Sequence, residues 1–260
     1  MTSDISFLSL LALSLILVPF IFISYHFKLN LVREAFISIF RMYIQLILVG
    51  LYLQYIFQIN NTYINIIYII IMICVATFSV IDALSLKILK SFLIVFSPML
   101  VLSLLLSTFF HFFIIRIDNI FDAKYFIPII GMLLGNCLRA NIICLNNFFQ
   151  VFKDNEKEYL YTLALGATKL EALKPYMSSS LKVVLKPAIA DIATLGIVTL
   201  PGMMTGQILG GASPMIAIKY QIAIMLMILA IKIYNSNICL LLCTKYFFDE
   251  YHIPNQSFFK

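Results

Sequence analysis

The side chains best suited to chemistry are sparse in this sequence, and their spacing argues against most enzymatic sites. Three histidines, His26, His111 and His252, are scattered and share no metal-ligand spacing. Five cysteines, Cys74, Cys137, Cys144, Cys239 and Cys243, lie in apolar segments without a CxxC pair. They read as small packing residues rather than as a disulfide or metal framework. No HExxH, no GxSxG and no pair of catalytic aspartates on spans occurs, which argues against an intramembrane enzyme. What remains is a set of polar groups embedded in apolar sequence: Gln45, Asn136, Asn141, Asp191, Gln207 and Gln221. Isolated amides and carboxylates in such a setting either hydrogen-bond between helices or face a polar path. The run LGIVTLPGMMTGQILGGASP, residues 195–214, sharpens the second reading. Pro201 and Gly202 interrupt it and free backbone carbonyls, and such breaks persist where they are buried in protein or line a cavity. Met203 and Met204 follow the break; their thioethers suit a soft cation such as Cu(I), although methionine in a span usually packs. The candidate pathway set is therefore Gln45, Asn136, Asp191, Pro201, Gly202, Met203, Met204, Gln207 and Gln221, with no metal ligands assigned.

A second stretch is too polar for a bilayer. EKEYLYTLALGATKLEALKP, residues 156–175, reads as a charged helical hook. Tyr159, Leu160, Leu163, Ala164, Ala167 and Leu170 fall roughly on one helical face, with Lys157, Glu158, Thr162, Lys169 and Glu171 around it. Gly166 interrupts the face and allows a sharp bend or a close approach. Such a helix either lies on lipid headgroups, helped by its lysines, or docks into the groove of a soluble partner.

The rest of the chain must position these two stretches. Of its 260 residues 62% are hydrophobic and 12% charged, against about 25% charged in a soluble domain. The expected fold is all-α, a polytopic integral membrane protein of one domain, residues 1–260, with about seven spans. The spans are expected near residues 5–25, 40–57, 63–81, 92–115, 126–149, 187–209 (broken at Pro201) and 215–243. Pro19 is expected to kink the first span, which reads as retained rather than cleaved. Asn60 and Asn61 mark a turn. Gly131 and Gly135 form a GxxxG pair that would admit another helix backbone. The cytoplasmic coupling segment covers about residues 150–186.

The net charge of +6 is distributed by topology and does not point to nucleic acid. With the N-terminus outside, the inner segments hold Lys28, Arg33, Arg41, Lys87, Lys90, Lys153, Lys157, Lys169, Lys174, Lys182, Lys186, Lys245 and Lys260. The outer ones hold Arg116, Lys124 and Lys219. The positive-inside rule then favours N-out and C-in, with the hook in the cytoplasm.

Several motifs together resemble the FetB-like permease family, the membrane subunits of an ATP-binding-cassette exporter, to which plant half-transporters linked to aluminium tolerance are also similar. The matching segments are LALGAT (163–168), LPGMMTGQILGGASP (200–214) and AIKYQI (217–222). Pro128, Gly131, Met132, Gly135 and Asn136 match a Pro-x-x-Gly-Met-x-x-Gly-Asn pattern, and Arg41 and Gln45 an Arg-x3-Gln pattern. The resemblance covers nearly the whole chain and is densest over residues 128–230.

The resemblance implies a homodimer of this permease in a bacterial inner membrane, bound to two ATPase subunits that use ATP and Mg. This chain has no GxxxxGK[ST] phosphate loop, so hydrolysis would fall to the partner and the chain itself would be a non-catalytic subunit without a cofactor. The hook would be the coupling helix, with Glu158, Leu163, Leu165, Gly166 and Ala167 at the ATPase. The implied role is export of iron or another metal, in metal homeostasis and oxidative-stress resistance. The same architecture moving a nucleotide sugar, a lipid or another small molecule is the alternative. Two departures stand out. Leu160, Tyr161 and Thr162 occupy the Glu-Ala-Ala positions of the importer-type loop. An acid expected three residues after Pro187 is instead Asp191, one position later, about 100° round the helix.

Overall fold

The computed structural model describes residues 6–116, 119, 121–249 and 253; His252 and Lys260 lie outside the described residues, as does most of the expected polar tail. The chain folds as α1 (Phe7–Ser14), a 3-10 turn (Leu15–Leu17), α2 (Val18–His26), α3 (Val32–Ile59), α4 (Thr62–Ala83), α5 (Ile88–Phe109) with a π-helical extension (Phe110–Ile115), α6 (Ala123–Asp154), α7 (Glu156–Ala164), α8 (Lys169–Thr194), α9 (Gly202–Leu209) and α10 (Pro214–Tyr246). Among the described residues six helical segments are long and apolar enough to cross a membrane. Against the seven expected, α8 and α9 are not among these six; α8 leaves the end of the bundle to which the end of α10 returns, and the pair leads back to the start of α10. At the end of α10 the Phe247 ring lies tilted against Phe149, centroids 5.4 Å apart, and Phe248 meets Phe152 edge to face at 5.3 Å.

Prolines shape the spans through the N–H they lack. Pro19 sits at the start of α2, directly after the 3-10 turn that breaks the first span. Pro98 lies inside α5 and leaves the Ile94 carbonyl without its intrahelical donor. The thiol of Cys239 on α10 approaches that carbonyl at 3.9 Å. The same thiol lies 3.7 Å from the amide nitrogen of Asn235, which also donates to Asn141 Oδ1 on α6 at 2.7 Å. A small polar network thus ties α5, α6 and α10 together in the apolar interior, where each member would otherwise be unsatisfied.

The core is built by α4, α5, α6, α8 and α10 around fully buried Ile73, Val80, Met99, Leu133, Cys144, Phe148 and Ile231. Cys137, Cys144, Cys239 and Cys243 are buried free thiols, consistent with packing roles. Of the GxxxG pair only Gly131 is approached: a Cβ there would meet Met72 of α4 at 3.4 Å, whereas one at Gly135 would meet nothing within 4 Å. Asn60 takes a left-handed conformation (φ 42°) between α3 and α4. Its side chain accepts from the Ala123 N–H at 3.0 Å, which fixes that turn to the start of α6.

Two expectations need correction. The hook is not one helix but α7 and the start of α8, with a turn over residues 165–168. Nor does the sixth span begin near Pro187. α8 runs unbroken from Lys169 through Pro175 and Pro187 and ends at Thr194, seven residues before Pro201. The break is a loop, with Gly196 left-handed (φ 80°) and its N–H donating to the Thr199 carbonyl at 3.0 Å.

Candidate functional site

The hook is a stop followed at once by a start. In α7 the N–H of Gly166 donates to the Leu163 carbonyl (2.9 Å) and that of Ala167 to the Thr162 carbonyl (3.3 Å). With Gly166 at φ 93°, these two bonds are a Schellman termination, which requires a left-handed residue and so favours glycine. Thr168 then caps α8 in a reciprocal box. Its backbone N–H donates to Glu171 Oε2 at 2.8 Å, and the Glu171 N–H donates to Thr168 Oγ1 at 3.4 Å. The Thr168 hydroxyl and backbone bonds hold the Glu171 carboxyl below the usual carboxylate range. The LGAT sequence is therefore a compact elbow between two helices. The GGASP sequence repeats the stop: Gly211 (φ 98°) and Ala212 close α9 onto the Ile208 and Gln207 carbonyls, and Ser213 and Pro214 open α10.

The elbow is anchored on one side and open on the other. Tyr159 is fully buried, with ring centroids 5.0 Å from Phe152 and 5.9 Å from Phe248. Burial pushes its phenol up to about 12, and Asp249 adds to the rise. Lys169 lies over the Phe248 ring at 5.0 Å. Leu163 is half-buried against the same core. Leu160, Tyr161, Leu165 and Leu170 are exposed, Leu165 at 71%. The single apolar face expected from a continuous helix is thus divided. Tyr159 and Leu163 hold the elbow to the bundle, while Leu165 and Gly166 form its tip, with Ala167 half-buried beside them and Glu158 exposed.

The broken span encloses the second feature. A cavity of about 260 Å³ lies between α6, α8, α9 and α10. Asn136, Asp191, Pro201, Met203 and Gln221 line it together with Met132, Ile224, Ile228 and Lys232. The structure therefore brings five of the nine candidate pathway residues to one place. Gly202, Met204 and Gln207 lie on α9 without lining the cavity. Gln45 sits apart, on the exposed face of α3, which meets α6 only around Ile56 and Ile127. Asn141 belongs to the α6–α10 network.

Lys232 is the charged cavity-lining side chain that sequence reasoning passed over. Asp191 of α8 and Arg139 of α6 both lie within electrostatic reach of it. A signal was present: Gln221, Ile224, Met225, Ile228, Leu229 and Lys232 follow the spacing of one helical face. Gln221 is 8% exposed, and its Oε1 has no hydrogen-bond partner. The Asn136 amide donates to the Met132 carbonyl at 3.0 Å, within its own helix.

One family profile, described as "Uncharacterised protein family (UPF0014)", matches residues 7–248. The chain is 32% identical over 242 residues to "Probable iron export permease protein FetB" of Escherichia coli (strain K12), covering 93% of this chain and 92% of that protein. It is 31% identical over 241 residues to "Protein ALUMINUM SENSITIVE 3" of Arabidopsis thaliana, covering 92% and 86%. It is 30% identical over 205 residues to "UPF0014 membrane protein YjkA" of Bacillus subtilis (strain 168), covering 78% and 80%. No solved structure gives a significant match. With its spans, its motifs and these relatives in agreement, the chain is a multi-pass membrane protein that belongs to the UPF0014 family, which its motifs had marked as FetB-like permeases.

Proposed function

We propose that the chain is the membrane subunit of an ATP-binding-cassette exporter, working as a homodimer with a separate ATPase subunit and moving iron or another metal out of the cell. The observation that carries this reading is the elbow. It presents apolar Leu160, Tyr161, Leu165 and Leu170 outside the bundle, yet Tyr159 fixes it rigidly to the bundle. An interfacial helix needs an apolar face but no rigid anchor. A lever needs both, because force applied at the tip must reach the spans rather than bend the tip. Glu158, Leu163, Leu165, Gly166 and Ala167 are the coupling residues. The lysine distribution supports a cytoplasmic elbow with the N-terminus outside, and the relatives of Escherichia coli and Bacillus subtilis support a bacterial inner membrane. ATP and Mg are used by the partner. The relative named for iron export supports the metal cargo.

The test is affinity purification of the tagged chain from its own membranes, followed by transport into inverted vesicles holding the purified complex. An ATPase subunit should co-purify, and labelled iron should accumulate only with ATP. A chain that purifies without any ATPase, from cells where it is intact and inserted, removes the pump reading. A second reading keeps the architecture and changes the cargo, and the relative named for aluminium sensitivity favours keeping it in view. It predicts ATP-driven uptake of a nucleotide sugar or lipid, with iron left behind.

A further inference from the structure

Lys232 gives the cavity wall an ammonium that an anionic group can meet. Asp191 lines the cavity with it, one carboxylate beside one cation, while Arg139 is exposed on α6 outside the lining. Among the described residues no group of three or more His, Cys, Asp or Glu could hold a metal ion. A bare dication entering here would find one carboxylate and amide oxygens, short of a full ligand set, with the Lys232 ammonium opposing it. A carboxylate would instead meet the Lys232 ammonium.

A second observation points to a ligand independently of charge. The Gln221 Oε1 is buried, lines the cavity and has no partner. A buried amide oxygen in this state carries a desolvation penalty until some group donates to it. Nothing apolar can do so, but a ligand hydroxyl can. Ile224, Ile228 and Leu229 supply an apolar wall, which suits a carbon skeleton better than a hydrated inorganic anion. Asp191 opposes an anion. It shares the lining with Lys232, so a carboxylate reaching Lys232 competes with Asp191.

Resting on the transporter reading above, we propose that the cavity takes a small polycarboxylate, free or wrapped around a metal ion, with a carboxylate on Lys232 and a hydroxyl donating to Gln221. A metal cargo would then leave as an anionic chelate.

The experiment is equilibrium binding to the purified full-length chain in lipid nanodiscs, using labelled citrate, ferric citrate, chelator-free ferrous ion and inorganic phosphate. Citrate or ferric citrate should bind saturably. Lys232→Gln should weaken binding at least tenfold, while Lys232→Arg, which keeps the charge, should stay within about threefold of the native chain. Asp191→Asn should strengthen binding, a gain that a misfolded variant would not show. Gln221→Leu should weaken ferric citrate or citrate but not abolish it. Binding of ferric citrate alone assigns the chelate; equal binding of citrate assigns the free acid. Ferrous ion binding that Lys232→Gln leaves intact, phosphate binding as tight as citrate, or no binding of either carboxylate overturns the proposal. Co-purification of an ATPase without citrate binding sinks this proposal alone. Citrate binding without any ATPase partner sinks the pump instead.

Discussion

Replacing Gly166 by valine separates the shape of the elbow from the stability of the bundle that carries it. The native φ of 93° lies in the left-handed region, where an L side chain costs roughly 1–2 kcal/mol and a β-branched one falls at the upper end. No steric term adds to this, because a Cβ at Gly166 meets nothing within 4 Å. The whole cost therefore falls on the turn, and it shifts the population of the native bend by roughly ten- to thirtyfold. The buried anchor at Tyr159 is untouched, so insertion and detergent-extracted yield should match the native chain, with a melting temperature lower by only a few degrees. Binding of the ATPase subunit should fall by about tenfold, measured by quantitative co-purification or by titration of the purified ATPase. The series Gly, Asn, Ala, Val at this position supplies the internal control, since asparagine tolerates the left-handed conformation best among side-chain-bearing residues. Binding should follow that order. A valine variant that couples like the native chain, or an asparagine variant as weak as valine, would refute the claim that the bend is what the partner reads.

Further tests address the parts that hold the elbow. Tyr159→Ala removes a fully buried ring between Phe152 and Phe248 and should destabilise the chain by about 3–5 kcal/mol, seen as a large fall in melting temperature. The pH dependence of the same residue has a definite sign. Its folded value of about 12 exceeds the ordinary 10, so its contribution is full below pH 10 and is lost as pH rises towards 12. Tyr159→Phe should flatten that part of the melting curve. Thr168→Ala breaks the capping box and should cost about 1 kcal/mol, largely recovered by Thr168→Ser. Asn141→Leu removes the oxygen acceptor of the Asn235 amide, bonded to it at 2.7 Å, and leaves it only the Cys239 thiol at 3.7 Å. It should cost about 1 kcal/mol in lipid, with Asn141→Leu/Asn235→Leu less damaging than the two single changes summed.

The parts of the fold that composition controls were legible before any coordinates. Apolar runs of sufficient length become spans whatever their neighbours do, so α4, α6 and α10 fall within a few residues of their expected limits. Boundaries set by a balance of local signals were harder. Pro187 looked like a helix start, yet it lies inside α8, where packing against α6 and α10 outweighs one missing hydrogen bond. At the hook the bend at Gly166 was legible, but the apolar face was carried across it to Leu170. Thr168 followed three residues later by Glu171 is a capping-box pattern, and it marks the start of a second helix there. Gln45 shows what type and spacing leave open: it is exposed on α3 and is not among the residues that line the cavity.

The elbow and the cavity are physically joined by α8. Its first residue follows the Thr168 cap, and Asp191 in its last turn lines the cavity. At 1.5 Å per residue, the 26 residues of α8 span about 39 Å. Along that length Ala172, Leu173, Tyr176, Ser180, Val184 and Ala188 are buried against the bundle, so the helix moves with its neighbours or slides along them. Pro175 and Pro187 leave the Glu171 and Val183 carbonyls without their helical donors, which makes those two levels the compliant ones. Pro187 lies one turn below Asp191. A tilt at the elbow that α8 carries as a rigid body would change the Asp191–Lys232 separation, whereas bending at Pro175 or Pro187 would absorb it before it reached Asp191. If the cavity takes an anion at Lys232 as proposed, Asp191 is therefore the residue through which movement of α8 would reach the bound ligand, and stiffening α8 by Pro187→Ala should strengthen that coupling.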